Sequence, residues 1–248
     1  MRYFLRLEYD GGHFCGWQRQ PDRPSVQETV ERALATLLRH EVAVVGAGRT
    51  DAGVHARRLG VHFDSDVAIE PQRFTRSLNA LLGPAVAATP PCPVDARFHA
   101  RYSATQRRYA YRVLMRKSPW WQGRAWHCPY RVDWERVRTE LTVLAGEHDF
   151  TTFCAAGSGA AHNRCRIVTA HIDTTHHPFV LTIAANRFVY RMVRSLVGTV
   201  VDIGRGACDR TLAALLEARD RRACATTAPP HGLTLEDVLY PGDDPCSD

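Results

Sequence analysis

One carboxylate in this chain stands in a setting suited to catalysis. Asp51 lies between Arg49 and His55 in a glycine-rich stretch, residues 46–56, that reads G-A-G-R-T-D-A-G-V-H-A. Glycines permit sharp turns and the close approach of another backbone, so this loop can present Asp51 to a large substrate without crowding it. Catalytic residues are often carried by loops on a rigid scaffold, which makes Asp51 the first candidate for a catalytic residue.

Both titratable residues of this loop also have a structural interpretation. An aspartate after Gly-Arg-Thr commonly caps a turn by accepting backbone N–H groups, and the loop alone favours neither role for Asp51. His55 is a candidate general base, but a loop histidine packed against backbone is the favoured interpretation.

Several classes of catalytic site are excluded by what surrounds Asp51 in the sequence. A carboxylate with no serine or histidine partner argues against a hydrolytic triad, and no carboxylate cluster suggests a two-metal nuclease. The chain contains neither G-x-x-x-x-G-K-[ST] nor a strand-linked G-x-G-x-x-G motif, so a nucleotide cofactor is not expected. We therefore expect a reaction that uses no cofactor and no metal ion.

A strip of alternating arginines and aromatic residues spans residues 95–112. Arginines can bind phosphates while aromatic rings stack on unpaired bases, so this strip is typical of contact with single-stranded or flipped nucleotides. The alternative is a surface strand whose aromatic residues belong to the core. The arginines are Arg97, Arg101, Arg107, Arg108 and Arg112, and the aromatic residues are Phe98, Tyr102, Tyr109 and Tyr111.

A second group of arginines is predicted on a helix over residues 188–203. The apolar stripe of this helix places Arg187, Arg191 and Arg194 together on the opposite side, spaced i, i+4 and i+7. Such a stripe is usually a solvated face. Arg194 lies nearest the edge of the apolar stripe, where it can turn inward to pair with a buried carboxylate.

The net charge of +6 and a pI of about 9.0 favour a polyanionic partner. Lys117 is the only lysine, so nearly all basic residues are arginines, which bind phosphates bidentately and stack on bases. A GC-rich genome would produce the same bias.

The eight cysteines show no C-x-x-C pair, so reduced thiols are expected rather than a zinc or disulfide framework. With neither a membrane span nor a signal peptide apparent, we expect a cytoplasmic protein.

The hydrophobic pattern predicts strands that alternate with helices. The chain is long enough to form one large domain or two packed halves. A capping box at Ser25 and Glu28 begins the first helix, and Asp133 caps another that ends before Gly146. The remaining helices are predicted over residues 71–82, 188–203 and 211–220. Strands are predicted over residues 3–9, 42–45, 59–63, 108–115, 167–174 and 179–185.

The order of several short motifs resembles the TruA family of tRNA pseudouridine synthases over nearly the full length. The thirteen-residue first block, residues 8–20 (E-Y-D-G-G-H-F-C-G-W-Q-R-Q), and the Asp51 loop are the specific ones. The weaker motifs follow in the family's order: S-V-Q-E at 25–28, F-H-A-R at 98–101, R-R-Y at 107–109, M-V-R at 192–194, A-P at 228–229 and G-L at 232–233.

This resemblance implies roles for individual residues. Asp51 would be the nucleophile in converting uridine to pseudouridine, and Arg194 would pair with it. Tyr109 would stack on the flipped uracil, Leu233 would line the substrate pocket, and Arg49 would fill the space of the flipped base or grip its phosphate. The arginines expected to bind RNA are Arg97, Arg101, Arg107, Arg108, Arg187 and Arg191.

The resemblance also implies an α/β (α+β) fold of two domains with a continuous, mainly antiparallel sheet, flanking helices and a central basic cleft. The expected divisions are residues 1–104, residues 105–241 and a disordered tail at 242–248. The implied protein is a homodimer acting on tRNA positions 38, 39 and 40 in the anticodon stem-loop.

Two departures from the family's pattern bear on substrate fit. Residues 163–167 read N-R-C-R-I where many relatives have a simple Arg-Thr-Ile, and Thr234 replaces the usual aromatic residue after Leu233. Two other interpretations stay open: an RNA-binding protein or chaperone without chemistry, and a synthase of this fold acting on another RNA.

Overall fold

The computed structural model describes residues 1–157, 159, 161–242 and 245–246. These residues form eleven strands and five α-helices, which confirms the predicted α/β class. In chain order they are β1 (Arg2–Tyr9), α1 (Val26–Leu38), β2 (Val45–Gly46), β3 (His55–Asp64), α2 (Pro71–Leu82), β4 (Val86–Ala88), β5 (Cys92–Val94), β6 (Gln106–Leu114), β7 (Trp126–His127), α3 (Trp134–Thr142), β8 (Gly146–Asp149), β9 (Arg164–Asp173), β10 (Phe179–Ala185), α4 (Met192–Gly204), α5 (Leu212–Ala218) and β11 (Leu233–Leu239).

The chain groups into two compact units, residues 1–106 with 234–248, and residues 107–233. The change of unit lies two residues after the division expected at 104, whereas residues from Thr234 onward group with the first unit. Of the expected disordered tail, residues 243, 244, 247 and 248 lie outside the described part of the chain. Within the described ranges, no helix has the length and apolar character needed to cross a membrane.

The first unit is built around β1, which pairs antiparallel with β3, β4 and β5. The short β2 pairs antiparallel with β3, and β11 pairs with β3 in parallel through Thr234 and His55. Both faces of β1 are largely covered, since Phe4, Leu5 and Leu7 are all fully buried. Helices α1 and α2 pack on each other, and the N-cap of α1 is the predicted Ser25, whose hydroxyl accepts the Glu28 N–H.

The second unit has an antiparallel sheet in the order β6-β10-β9-β8, with β7 parallel to β6. Helix α3 packs on α4 and β9, and its N-cap is the predicted Asp133, whose carboxylate accepts the Arg136 N–H. Helix α4 is the central element of this unit, because almost every residue along it is buried.

Several predicted boundaries are wrong. The strand expected at 42–45 is reduced to Val45–Gly46, while β3 begins four residues earlier than predicted, at His55. The helix expected from residue 188 begins at Met192, because Arg191 adopts a left-handed conformation with φ of 59° that interrupts any helix before it. The short strands β4, β5, β7 and β8, together with β11, have no predicted counterpart.

The expectation that the cysteines are reduced and unpaired is wrong for two of them. Cys92 and Cys246, which are 154 positions apart in the sequence, form a disulfide. Cys92 begins β5, which pairs with the start of β1, so the bond joins the end of the chain to this part of the first unit. Spacing gave no signal for the pair, because only folding brings two such distant cysteines together.

Candidate active site and RNA-contacting residues

Asp51 lies in the loop between β2 and β3, on a backbone that is held on both sides. The Asp51 carbonyl accepts the Val54 N–H at 3.1 Å, closing a turn directly after it. Before it, the buried Thr50 hydroxyl lies 2.8 Å from the Tyr9 hydroxyl, and the Thr50 carbonyl accepts the Trp17 N–H at 3.1 Å. The Asp51 side chain itself is half-buried. A carboxylate on this loop is therefore presented by a fixed backbone rather than by a mobile one.

The first sequence block packs directly against the Asp51 loop. A Cβ at Gly16 would lie 2.8 Å from the Thr50 carbonyl oxygen and 3.3 Å from the Asp51 carbonyl carbon. A Cβ at Gly11 would lie 2.0 Å from the carbonyl oxygen of Val54. Real Cβ atoms do not approach backbone this closely, so both positions require glycine. The first block, residues 8–20, and the Asp51 loop therefore pack directly on each other. The first block supports the loop that carries the carboxylate.

His55 connects the same two segments. Its ring is buried, and Nδ1 lies 3.1 Å from the Gly11 backbone nitrogen, whose N–H it can accept, and 3.1 Å from Asp10 Oδ1. This geometry confirms the interpretation of His55 as a histidine packed against backbone. Its role is to brace the first block against the start of β3.

Tyr109 and Tyr111 share one face of β6, yet they lie in different environments. Tyr111 is fully buried, and its hydroxyl donates to the Pro229 carbonyl at 2.8 Å. Burial raises the pKa of the Tyr111 phenol far above its usual value, so it remains a neutral donor. Tyr109 is half-buried, and its ring meets the edge of Phe188 with centroids 5.1 Å apart. Of the two, Tyr109 is the tyrosine with an accessible ring.

Arg194 is the one residue of α4, all of which is described, that is not buried. Its Nε–H donates to the Ala228 carbonyl at 2.9 Å, and its own carbonyl accepts the Ala228 N–H at 3.0 Å. The segment that contains Ala228 is also held further along α4, where Asp202 Oδ2 accepts the Thr226 N–H at 3.0 Å. Because Ala228 holds the guanidinium at Nε and its own segment is held to the helix, α4 and the segment before β11 position Arg194 together. Sequence reasoning missed Ala228 as a partner of Arg194, although the A-P motif marked its place.

The predicted arginine stripe on one helix is wrong. Arg187 and Arg191 precede α4, and only Arg194 lies on it. A guanidinium nitrogen of Arg187 lies 3.4 Å from His162 Nε2, and the Arg191 guanidinium lies 5.0 Å from the Tyr190 ring centroid. The spacing of the three arginines suggested a shared helical face. Because the backbone at Arg191 is left-handed and α4 begins after it, Arg187 and Arg191 do not lie on the helix that carries Arg194.

The arginines of the strip at residues 95–112 are divided between the two units. In the first unit, Arg97 is exposed and paired with Asp95 at 3.2 Å, and the Arg101 guanidinium lies 5.8 Å from the Tyr102 ring centroid. In the second unit, Arg107 donates to the Asn186 carbonyl at 2.7 Å, and Arg108 is exposed.

The remaining predicted site residues are Arg49 and Leu233. Arg49 is exposed on the loop before Asp51. Leu233 is buried at the start of β11, and its neighbour Thr234 is buried as well.

Comparison with known proteins decides the family. The sequence profile of the tRNA pseudouridine synthase family matches residues 7–103 and 142–241. A protein of Cereibacter sphaeroides named tRNA pseudouridine synthase A is 43% identical over 98% of both chains. The chain belongs to the tRNA pseudouridine synthase family. Proteins of the same name from Porphyromonas gingivalis and Parabacteroides distasonis are 39% and 40% identical, with alignments covering at least 96% of each chain.

Among solved structures, a chain in the crystal structure of a Cbf5-Nop10-Gar1 complex overlaps this synthase with a TM-score of 0.35 and 11% identity. The overlap covers 94% of this chain and 56% of that chain. So weak an overlap carries no argument, and the family assignment stands on the sequence comparisons.

Proposed function

We propose that this chain converts uridine to pseudouridine in the anticodon stem-loop of tRNA, at positions 38, 39 and 40, with Asp51 as the nucleophile. The observation that carries the proposal is the support of the Asp51 backbone by the first block. Gly16 packs on the Thr50–Asp51 peptide, and Trp17 donates to the Thr50 carbonyl. The full-length relatives named tRNA pseudouridine synthase A support tRNA as the substrate.

The reaction is an isomerisation, so every atom of the substrate is retained except for exchange of protons. The C1′–N1 bond of uridine breaks, the uracil turns, and a C1′–C5 bond forms. The C5 hydrogen leaves as a proton, and N1 gains one. Asp51 would act by adding to C6 of the uracil, by adding to C1′ of the ribose, or by promoting a glycal intermediate. Each route requires an ionised carboxylate, held in place at the start of the reaction.

Arg194 is proposed to keep Asp51 ionised and oriented by pairing with it. A guanidinium beside a carboxylate favours the charged form, and a bidentate contact fixes its plane. The support for this role is that Arg194 is the half-buried residue of a buried helix and that Ala228 holds its Nε–H. An arginine fixed in this way is preorganised to receive a carboxylate.

Tyr109 is proposed to stack on the uracil after the uridine has left its helical stack. Its ring is half-buried and supported at the edge by Phe188, which limits its motion. Enzymes that act on a base inside a stem must flip the base out and hold it against an aromatic or apolar surface. Leu233 is proposed to line the same pocket, and Arg49 to occupy the space of the flipped base or to bind its phosphate.

Six arginines, four of them exposed and two half-buried, would supply the sequence-independent part of RNA binding. The net charge of +6 and the arginine strip suit a phosphate backbone. We assign this role to Arg97, Arg101, Arg107, Arg108, Arg187 and Arg191. We further propose that the protein works as a homodimer in the cytoplasm, in keeping with its family and with a tRNA substrate.

Substitution of Asp51 by asparagine tests the proposal. The substrate is a tRNA carrying tritium at C5 of uridine, because formation of the C1′–C5 bond releases this hydrogen to water. We expect Asp51→Asn to lower the single-turnover rate at least about a thousandfold while tRNA affinity changes little. Asp66→Asn is the matched control, since it removes the same charge from an exposed position of the same unit.

Two results would contradict this assignment. Tritium release by Asp51→Asn at a rate near that of the unchanged enzyme would remove Asp51 as the nucleophile. An unchanged protein that binds tRNA and releases no tritium would favour the RNA-binding or chaperone interpretation.

A further inference from the structure

The turn at residues 99–102 is held by two histidine rings. Nδ1 of the buried His62 accepts the Ala100 N–H at 3.1 Å. Nδ1 of His99 accepts the Arg101 N–H at 3.2 Å and the Tyr102 N–H at 3.3 Å. Three successive backbone N–H groups therefore point inward to imidazole acceptors, while the side chains of Arg101 and Tyr102 are exposed.

Both imidazoles must be neutral to act as acceptors at Nδ1. Burial and the nearby Arg2 lower the pKa of His62 to about 4, and the same two causes lower the pKa of His99. At neutral pH the turn consequently keeps its acceptors. The conformation of the turn is set before any partner arrives.

The outermost ring of this cluster is Tyr102. The rings form a series from core to surface: His62 and His99 have centroids 4.9 Å apart, and His99 and Tyr102 have centroids 4.4 Å apart. Exposure rises from 4% for His62 to 77% for Tyr102. The guanidinium of Arg101 lies 5.8 Å from the Tyr102 centroid. An aromatic ring is thus presented to solvent, on a braced turn, beside a positive charge.

We propose that Tyr102 is a stacking platform for an unpaired base of the RNA substrate, with Arg101 binding the adjoining phosphate. The proposal rests on the proposed function, which supplies the RNA. A base needs one flat ring and a nearby cation, and stacking on aromatic side chains tolerates any base. A protein partner would instead need a contiguous apolar patch. The segment that carries Tyr102 is charged rather than apolar, since Asp95, Arg97 and Arg101 all precede it in the sequence and all are exposed.

The test compares variants of Tyr102 in binding an anticodon stem-loop RNA, measured by fluorescence anisotropy at fixed salt. We expect Tyr102→Ala to raise the Kd between about fivefold and a hundredfold, as loss of one base stack predicts. Tyr102→Phe, which keeps the ring, should bind like the unchanged protein. Tyr130→Ala is the matched control, because Tyr130 is also an exposed tyrosine with an arginine over its ring, yet that arginine, Arg205, is paired with Asp202.

The outcomes separate this inference from the proposed function. If the unchanged protein binds RNA and forms pseudouridine while Tyr102→Ala does both equally well, only the platform is refuted. Equal weakening by Tyr102→Ala and Tyr102→Phe would assign the effect to the hydroxyl and overturn stacking. Unchanged RNA affinity with an altered molar mass in light scattering would assign the ring to a protein contact. Ultraviolet crosslinking of RNA to the peptide containing Tyr102, lost in Tyr102→Ala, would support the proposal directly.

Discussion

Replacement of Gly16 by alanine tests whether the first block positions Asp51. Gly16 has φ of +107°, and backbone of this kind costs an L-residue about 1–2 kcal/mol. The new Cβ would also lie 2.8 Å from the Thr50 carbonyl oxygen, which is 0.6 Å inside the 3.4 Å at which ordinary contact begins. Strain and overlap together predict a loss of about 2 kcal/mol in the free energy of unfolding.

The same overlap predicts an effect on catalysis. Relief of the contact must move the Thr50–Asp51 peptide by a few tenths of an ångström, because the opposing atoms are backbone. A misplacement of about 1 Å at a reacting group can cost roughly a hundredfold in rate, so we expect Gly16→Ala to lower the single-turnover rate roughly tenfold. Affinity for tRNA should change little, since Gly16 supports the loop rather than the RNA.

The control for this experiment is Gly48→Ala in the same loop. Apart from its two chain neighbours, no atom in the described part of the chain lies within 4 Å of a Cβ at Gly48, so neither stability nor rate should change. Stability is measured by urea unfolding and the rate by tritium release at saturating tRNA. A folded Gly16→Ala variant with the rate of the unchanged enzyme would refute the argument that this contact sets the position of Asp51.

Three further outcomes follow from the structure. Tyr109→Phe should keep tRNA binding and lose most of the single-turnover rate. Tyr111→Phe should keep the rate but lose about 1 kcal/mol of stability, because it leaves the Pro229 carbonyl unpaired. Equal rate losses in the two variants would refute a special role for Tyr109. Because the pKa of His62 is about 4 when folded and 6.5 when unfolded, its contribution to stability is complete above pH 6.5 and is lost as the pH falls toward 4. Urea unfolding across this range should show a shallower pH dependence in His62→Gln, whose amide can still accept the Ala100 N–H. Affinity for tRNA should fall steeply with salt, with a slope of several units at roughly −0.7 to −0.9 per phosphate contact, and a flat response would show that the arginines do not bind phosphates.

The sequence by itself determined the identities of the candidate residues and much of the local structure. The glycine-rich setting singled out Asp51, and Ser25 and Asp133 marked two helix starts that the structure confirms. Such features are readable because caps, turns and hydrophobic periods depend on residues only a few positions apart. The ordered motifs likewise pointed to the family that the comparisons establish.

Tertiary structure alone decided how distant segments support one another. The first block lies under the Asp51 loop although some 35 residues separate Gly16 from Asp51 in the sequence. The sequence also could not predict that Tyr111 is buried and Tyr102 exposed, since both are tyrosines of one arginine-rich strip. The pairing of β11 with β3 and the bond between Cys246 and Cys92 could not be predicted either. Each joins residues that are more than 150 positions apart in the sequence. A local sequence pattern does not show which distant backbone will pack beside it, and that packing is what holds the Asp51 loop in place.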